Sequence, residues 1–203
     1  MRSIIHTRVY PEPKFRPKEA LRYAGAFGES EEMLSLLEET SGELLPRLDY
    51  KVCYCELDAA FCDGAYDLGF ALVSSNSLAR CLSGCERIIL FAATIGLELD
   101  RAARRYSSTS GSRALMAQGI GAERIESLCD AFCLDIAREY EAQGFECTPR
   151  FSPGYGDLPL DLQRDIFAHL KPEGRIGITL NDSLLMTPTK SVTAIVGLRR
   201  KVE

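Results

Sequence analysis

The sequence predicts an α+β fold with a mainly antiparallel sheet and several helices, one of them long. Helix and strand patterns are interleaved along the 203 residues, but they do not repeat as regular βαβ units. The continuous apolar run "RIILFAAT", residues 87–94, is typical of a buried central strand. Helical spacing of apolar residues over 112–143 predicts the long helix. We expect a single domain over residues 1–203, with a helical N-terminal part over 1–50.

Apolar periodicity and capping residues predict four helices and a second strand before the long helix. The strand "YKVCYCEL" alternates in polarity and places Cys53 and Cys55 on one face. Ser30 is a candidate N-cap, because acidic residues follow it in the first turn. The strand covers residues 50–57, and the helices cover residues 16–25, 30–48, 75–84 and 97–106.

The long helix has two faces with different roles. Ala114, Ala117 and Gly121 share a side, where another element is expected to pack closely. Gly144 follows the helix and is the residue type that most often ends one. The predicted core stripe consists of Ile125, Leu128, Cys129, Phe132 and Ile136.

Strands and one helix follow the long helix. "FECTPRF", residues 145–151, predicts a strand, and "LPLDLQRDIFAHL", residues 158–170, predicts an amphipathic helix. "RIGITL", residues 175–180, and "KSVTAIVGL", residues 190–198, predict two more strands. These strands complete the predicted sheet.

Charge and hydropathy argue against two classes of partner. The chain has 24 basic and 29 acidic residues, and no segment gathers the basic stripe that binds nucleic acid. The longest apolar run, "IILFAATIG", is too short to cross a bilayer. The N-terminus lacks the apolar run of a signal peptide. We therefore expect a cytoplasmic protein that binds neither nucleic acid nor membrane.

The eight cysteines are expected to be reduced thiols that serve the core. Zinc sites use short C-x-x-C pairs, whereas the spacings here are C-x-C and C-x-x-x-C. Cys81 and Cys85 are one helical turn apart, as are Cys129 and Cys133, so each pair is predicted to share a helix face. This pattern favours structural cysteines and no metal site.

The stretch "RFSPGYGDLPLDLQRDIF" combines a fixed charge, a tight turn and an aromatic ring. Pro153 and Gly154 suit the centre of a type II turn, which can expose the N–H groups of Gly154 and Tyr155. A ligand can approach the backbone closely at Gly154, and Arg150 can pair with a carboxylate. Tyr155 offers a face for stacking. The stretch predicts either a site for a small anionic or zwitterionic ligand or a tight connection with a solvated arginine.

Two motifs resemble the activation domain of cobalamin-dependent methionine synthase. The family signature is an arginine, two residues, Pro-Gly-Tyr and then a proline, which here are Arg150, Pro153–Tyr155 and Pro159. "ATIGLELDRAARRY" and "GIGAERIESLCDAF" are also similar to the family, so the resemblance covers the last two thirds of the chain. The second motif, "ITLNDSLLMTPTKSVTAIVG", matches the family at Ser183, Met186, Pro188, Ser191 and Val192.

The resemblance implies a module that binds S-adenosylmethionine and lies against a cobalamin domain. There it would supply the methyl donor when oxidised, inactive cobalamin is reductively remethylated. Arg150 matches the arginine that holds the ligand, and Asp130 aligns best with an acid of the long helix. Glu126, one turn earlier, is the alternative acid. The implied ligand-binding residues are Arg150, Ser152, Gly154, Tyr155, Asp130 and Glu126.

The chain departs from the family pattern at two places. Residues 156–158 stand where the family has a proline and a cysteine-containing tetrad, and Ile195 and Val196 replace an aromatic pair. Asp157 is predicted to cap the helix that begins near Pro159.

The sequence contains no cobalamin-ligating Asp-x-His-x-x-Gly motif and no zinc-thiolate motif. The resemblance therefore implies an accessory component that meets cobalamin only through a partner, with no catalytic residue and no metal ligand of its own. The partner would be a cobalamin-binding methionine synthase or another corrinoid protein, with an electron donor such as flavodoxin or ferredoxin.

Two alternatives remain open. One is a self-sufficient S-adenosylmethionine-dependent methyltransferase, suggested by the glycine turn in "ILFAATIGLELD". The other is a non-catalytic interaction protein that retains the fold.

Overall fold

The computed structural model describes residues 3–26 and 30–201, and these contain seven α-helices and ten strands. The helices are α1 (Pro17–Tyr23), α2 (Glu31–Leu44), α3 (Asn76–Cys81), α4 (Glu98–Thr109), α5 (Gly111–Glu141), α6 (Leu162–Leu170) and α7 (Pro172–Ile176). The strands are β1 (His6–Val9), β2 (Lys51–Asp58), β3 (Ala60–Cys62), β4 (Ala65–Asp67), β5 (Leu72–Val73), β6 (Cys85–Thr94), β7 (Phe145–Cys147), β8 (Thr179–Leu180), β9 (Met186–Thr187) and β10 (Ser191–Arg200). The predicted α+β class, antiparallel sheet and long helix are confirmed.

The main sheet has five strands in the order β1-β2-β6-β10-β7, and each neighbouring pair is antiparallel. The apolar run in β6 lies at the centre, as predicted, with Leu90 opposite both Cys55 and Ile195. β7 pairs only with the last residues of β10. Among the described residues, no strand pairs with the outer edge of residues 191–194 of β10, and Ile195 makes only a single bridge there, to Phe151. The start of β10 is therefore an open edge.

The sheet separates two hydrophobic cores, because side chains alternate along each strand. Val52 and Tyr54 of β2 belong to the core that packs against α1, α2, α4 and α5. Cys53 and Cys55 share the opposite face, as predicted, and belong to the core under α3, α6 and α7. All five members of the stripe predicted on the long helix are buried in the first core. Within the described residues, no helix is long and apolar enough to cross a membrane.

Capping residues set the helix starts. The Oγ of Ser30 accepts a hydrogen bond from the N–H three residues on, at 3.3 Å, which confirms it as an N-cap. Ser75 caps α3 in the same way at 3.1 Å. Ser110 caps α5 at 3.3 Å, so the long helix begins one residue earlier than predicted. Such caps satisfy N–H groups that have no partner within the helix.

Glycines let two helices contact the backbone of α5 directly. An ideal Cβ at Gly119 would come within 2.4 Å of the Ala20 carbonyl oxygen of α1 and 2.7 Å of Ala24 Cβ. One at Gly121, on the predicted small-residue side, would come within 2.3 Å of Leu99 of α4. The absence of a side chain at these positions is what permits the close approach.

A buried ion pair fastens the N-terminal segment to α5. Both Glu123 and Arg124 have side chains with no exposed area. Arg124 donates to both carboxylate oxygens of Glu123 and to the backbone carbonyl oxygens of residues 13–14, over 2.6 to 2.9 Å. Burial opposes the charge on Glu123, but hydrogen bonds from Arg124 and Ser127 hold its pKa below the ordinary value. The pair therefore remains ionised.

After the long helix, three predicted boundaries are wrong by four residues. Most of the strand predicted over 175–180 is instead the end of α7 and a turn at Gly177, whose φ is 75°, because Pro172 favours a helix start. The strand predicted over 145–151 ends at Cys147. The helix predicted from residue 158 begins only at Leu162.

The prediction that Cys81 and Cys85 share a helix face is wrong. α3 ends at Cys81, and Cys85 already begins β6. Cys129 and Cys133 do lie on α5 and both contact the first core. All eight cysteines are free thiols. The short strands β1, β3, β4, β5 and β9 were not predicted from the sequence, and β8 is the part of the strand predicted over 175–180 that forms.

Candidate functional site

A pocket of about 340 Å³ lies at the open edge of β10, between α5 and the first turn of α6. Its volume is within the roughly 300–1,000 Å³ of small-molecule sites. The pocket exists because β7 ends at Cys147 and the following chain turns away from β10 after Phe151. Four of the sequence-predicted residues line it, namely Arg150, Ser152, Tyr155 and Glu126.

Arg150 binds two acids of α5 with its two terminal nitrogens. Its Nη1 donates to Asp130 Oδ1 at 2.8 Å, and its Nη2 donates to Glu126 Oε2 at 2.5 Å. The acids are four residues apart, so successive helical turns present both to one guanidinium. Burial lowers the pKa of Arg150, but the hydrogen bond to Asp130 and the charge of Glu126 prevail, and the pKa is raised. Asp130 does not line the pocket itself, but it contacts Arg150, which does.

A second arginine reaches this cluster from the N-terminal segment. Arg16 Nη1 lies 3.3 Å from Asp130 Oδ2, and Arg16 Nε lies 3.2 Å from Glu123 Oε1. Because the buried Glu123–Arg124 pair fixes this part of α5, Arg16 has a defined place beside Asp130. The sequence analysis missed Arg16, because no motif marks it.

The motif turn has the predicted type II geometry. Gly154 has a φ of 89°, and the Tyr155 N–H donates to the Ser152 carbonyl at 3.3 Å. The prediction that both turn N–H groups are exposed for a ligand is wrong, because the Gly154 N–H donates to the Leu158 carbonyl at 2.9 Å. Gly154 does not line the pocket, and an ideal Cβ there would meet Leu160 at 3.2 Å. Glycine is therefore needed at position 154 for the backbone conformation of the turn and not for contact with a ligand in the pocket.

Asp157 caps α3, and the prediction that it caps the helix after Pro159 is wrong. Its carboxylate accepts hydrogen bonds from the Ser75 hydroxyl at 2.6 Å and from the N–H groups of Asn76 and Ser77 at 2.7 and 2.9 Å. The hydrogen bond from Ser75 and those from the two N–H groups lower the pKa of Asp157. The departure from the family pattern at 156–158 therefore ties the motif turn to α3.

Two pocket residues that the sequence analysis missed carry buried polar atoms without partners. Gln163 on α6 is 6% exposed, and Thr193 on β10 is 2% exposed. Within the part of the chain that the structure describes, Gln163 Oε1 and Thr193 Oγ1 have no hydrogen-bond partner. Two larger grooves, of about 920 and 630 Å³, are lined by no residue with such an atom among those described. These atoms mark the smaller pocket as the candidate site.

The thiols near Arg150 are not activated. Burial raises the pKa of Cys133, and the opposing charge of Arg150 does not cancel this effect. Burial also raises the pKa of Cys129, and it raises that of Cys147 to about 11. Because the thiolate is the nucleophile, these cysteines are poor nucleophiles at neutral pH.

A solved structure shares this architecture. The crystal structure of the MetH reactivation domain bound to AdoHcy matches 100% of this chain and 80% of that chain, with a TM-score of 0.69 and 15% sequence identity. The chain has the fold of the MetH reactivation domain. No family model and no curated protein matches its sequence.

The MetH reactivation-domain fold brings the predicted residues into one region. Glu126 and Asp130 come from α5, Arg150 follows β7, and the motif turn supplies Ser152 and Tyr155. The result is a half-buried charge cluster beside an apolar wall. Such an arrangement can bind a small molecule that carries charges of both signs.

Proposed function

We propose that the chain binds S-adenosylmethionine at the open edge of β10 and supports the reductive remethylation of a cobalamin protein in trans. The observation that carries the proposal is the cluster of Arg150, Glu126 and Asp130 beside a pocket with two unpartnered buried polar atoms. The two sequence motifs support it. The likeness to the MetH reactivation domain, whose crystal structure has AdoHcy bound, supports it as well.

The charge cluster suits the amino-acid end of the ligand. S-adenosylmethionine has a carboxylate and an ammonium on one carbon. Arg150 offers two parallel N–H donors for the carboxylate, and Glu126 and Asp130 offer acceptors for the ammonium. Since both acids already contact Arg150, the ligand carboxylate would replace one of them on the guanidinium. The cluster is thus prepared for a zwitterion rather than for a simple anion.

The apolar wall suits the adenosine end. Phe151, Met186 and Val192 line the pocket, and Tyr155 stands at its mouth with 68% of its surface exposed. Aromatic rings and thioethers pack well against the face of a base. Tyr155 has room to stack on a ligand or on a partner.

The methyl acceptor is proposed to come from outside the chain. S-adenosylmethionine supplies a methyl group on a cationic sulfur, and transfer requires a strong nucleophile about 3–3.5 Å from that carbon. The raised thiol pKa values leave no activated nucleophile among the three cysteines around Arg150. A corrinoid partner, either methionine synthase or another cobalamin protein, provides cob(I)alamin. Flavodoxin or ferredoxin provides the electron, and the encounter takes place in the cytoplasm.

Titration calorimetry tests the ligand assignment. The wild-type chain is expected to bind S-adenosylmethionine and AdoHcy, and Arg150→Ala should weaken both about thirtyfold, from the loss of about 2 kcal/mol of a charge-assisted pair. Arg138→Ala is the matched control, because Arg138 is an exposed arginine of α5 outside the pocket. 5′-Methylthioadenosine lacks the amino-acid end, so its affinity should not respond to Arg150→Ala.

Three results would contradict the assignment. The first is no binding of either ligand, which would favour the non-catalytic interaction protein. The second is an unchanged affinity in Arg150→Ala. The third is an equal loss for 5′-methylthioadenosine, which would mean that Arg150 supports the fold of the pocket rather than the ligand.

The self-sufficient methyltransferase is a weaker candidate. It depends on a doubly wound fold, in which the strand before the glycine turn has parallel neighbours. β6, the strand before Gly96, instead has antiparallel neighbours on both sides. Turnover of a small acceptor by the isolated chain would nevertheless restore this candidate.

A further inference from the structure

Gln163 has a buried side-chain amide whose oxygen takes part in no hydrogen bond among the described residues. It sits in the first turn of α6 with 6% of its surface exposed, beside Leu162 and Ile166 of the second core. Its Oε1 has no hydrogen-bond partner among residues 3–26 and 30–201. Buried polar groups are almost always paired in folded proteins, so an unpaired one requires an explanation.

Thr193 presents a second unused group to the same pocket. Its Oγ1 has no hydrogen-bond partner among the described residues, although only 2% of the residue is exposed. Ile195, two residues later, exchanges both backbone hydrogen bonds with Phe151, at 2.8 and 2.9 Å. In an antiparallel strand, residues two apart direct their N–H and C=O groups to the same side. Thr193 therefore directs its backbone groups to the open edge of β10, where the pocket lies.

The unused groups and the charge cluster approach the pocket from opposite faces of the sheet. Glu126 comes from α5, which packs on the first core, and Gln163 comes from α6, which packs on the second. A ligand with its amino-acid end at Arg150 would direct its other end toward Gln163. The unused side-chain groups are thus placed for the end of the ligand that carries the base.

We propose that Gln163 is the residue that selects adenine. A carboxamide has an acceptor and a donor side by side, and adenine has its 6-amino donor next to a ring-nitrogen acceptor, so the two edges are complementary. Gln163 Oε1 accepts from the 6-amino group while Nε2 donates to the adjacent ring nitrogen. Thr193 Oγ1 supplies a further hydrogen bond at the same end. This assignment rests on the proposed binding of S-adenosylmethionine and adds the determinant of its base.

The experiment compares AdoHcy with its 6-deamino analogue, in which hydrogen replaces the 6-amino group. The wild-type chain should bind AdoHcy at least about tenfold more tightly, because the analogue leaves Gln163 Oε1 unpaired in a buried site. Gln163→Met keeps an unbranched side chain of similar length without the amide. The Gln163→Met variant should bind AdoHcy more weakly than the wild type does, and it should have equal affinities for AdoHcy and the analogue. Thr193→Val should lower the affinity for both ligands by the same factor.

Two controls separate recognition from folding. Gln118→Met changes an exposed glutamine of α5 and should leave both affinities unchanged. Gln163→Met should unfold in urea at the same concentration as the wild type or higher, because it removes an unpaired buried amide. A clear loss of stability would mean that Gln163 serves the fold, and would overturn the inference.

The outcomes distinguish the two proposals. If AdoHcy binds and Gln163→Met still prefers it over the analogue, Gln163 does not read the base, whereas the proposed function stands. If neither ligand binds the wild type, the proposed function fails and this inference fails with it.

Discussion

Arg150 and Asp130 are 20 residues apart in the sequence, yet Arg150 Nη1 and Asp130 Oδ1 are 2.8 Å apart. The contact joins the segment after β7 to α5. Glu126 occupies the other arm of the same guanidinium. The protein thus holds two carboxylates and one arginine together before any ligand arrives. What each acid does for the ligand can be separated by experiment.

Neutralising either acid tests its role toward the ligand ammonium. Glu126→Gln and Asp130→Asn are each expected to lower the affinity for AdoHcy about tenfold, because a charge-assisted hydrogen bond to the ligand ammonium becomes a neutral one. 5′-Methylthioadenosine should be unaffected in both variants. Asp135→Asn, also on α5 but outside the pocket, is the control. Tighter binding in calorimetry would mean that the acids compete with the ligand for Arg150 and do not hold its ammonium.

Gly154 should matter to the turn more than to ligand contact. At a φ of 89°, a β-branched side chain is strained and asparagine is tolerated. We expect Gly154→Val to lower the free energy of unfolding by about 1 kcal/mol or more, and Gly154→Asn to lower it by less. Urea unfolding measures both. Equal stability of the two variants would show that the backbone of the turn is not what requires glycine.

The carboxylate of Asp157 should make stability depend on pH. Its pKa is lowered in the folded protein by the hydrogen bonds from residues 75–77, whereas the unfolded value is about 3.9. The stabilisation is therefore present above about pH 4 and is lost as the pH falls through the folded pKa. Asp157→Asn should be less stable than the wild type at pH 7, and the difference should shrink below pH 4. The control is Asp161→Asn, at a nearby exposed carboxylate. A difference that does not change with pH would contradict the capping role.

The close contact between α1 and α5 predicts opposite effects for one substitution at two helical glycines. Gly119→Ala places a Cβ 2.4 Å from a backbone oxygen and should lower the free energy of unfolding by about 1–3 kcal/mol. A Cβ at Gly42 in α2 would meet no atom of the described residues within 4 Å, so Gly42→Ala should raise the free energy of unfolding by about 0.5–1 kcal/mol. Thermal or urea unfolding distinguishes them. A gain in both would mean that α1 does not pack this closely.

The sequence predicted the elements whose pattern is local. The apolar run of β6 and the stripe of α5 each determine one element without reference to the rest of the chain. Ser30 was recognisable because an N-cap and its N–H partner are three residues apart. The type II turn at Gly154 followed from the Pro-Gly pair for the same reason.

Features that depend on distant partners were not predictable from the residues alone. Asp157 caps a helix that begins 81 residues earlier in the chain. The sequence analysis instead assigned Asp157 to the helix that directly follows it, because only that helix is close in the sequence. Gln163 is one polar residue in an amphipathic helix, and only the tertiary structure shows that it is buried. Arg16 likewise reaches Asp130 from a segment that Arg124 holds against α5 through the backbone carbonyl oxygens of residues 13–14. The cluster at Arg150 was anticipated through the family resemblance, not from spacing.

The most direct test of the proposed function is the absorbance change of a cobalamin protein. A cobalamin-loaded methionine synthase fragment without its own reactivation domain is mixed with S-adenosylmethionine and a low-potential reductant. Conversion of cob(II)alamin to methylcob(III)alamin is then followed with and without this chain. We expect conversion to become much faster when the chain is present, to fall with Arg150→Ala, and to be unaffected by Arg138→Ala. Equal rates with and without the chain would contradict the reactivation role.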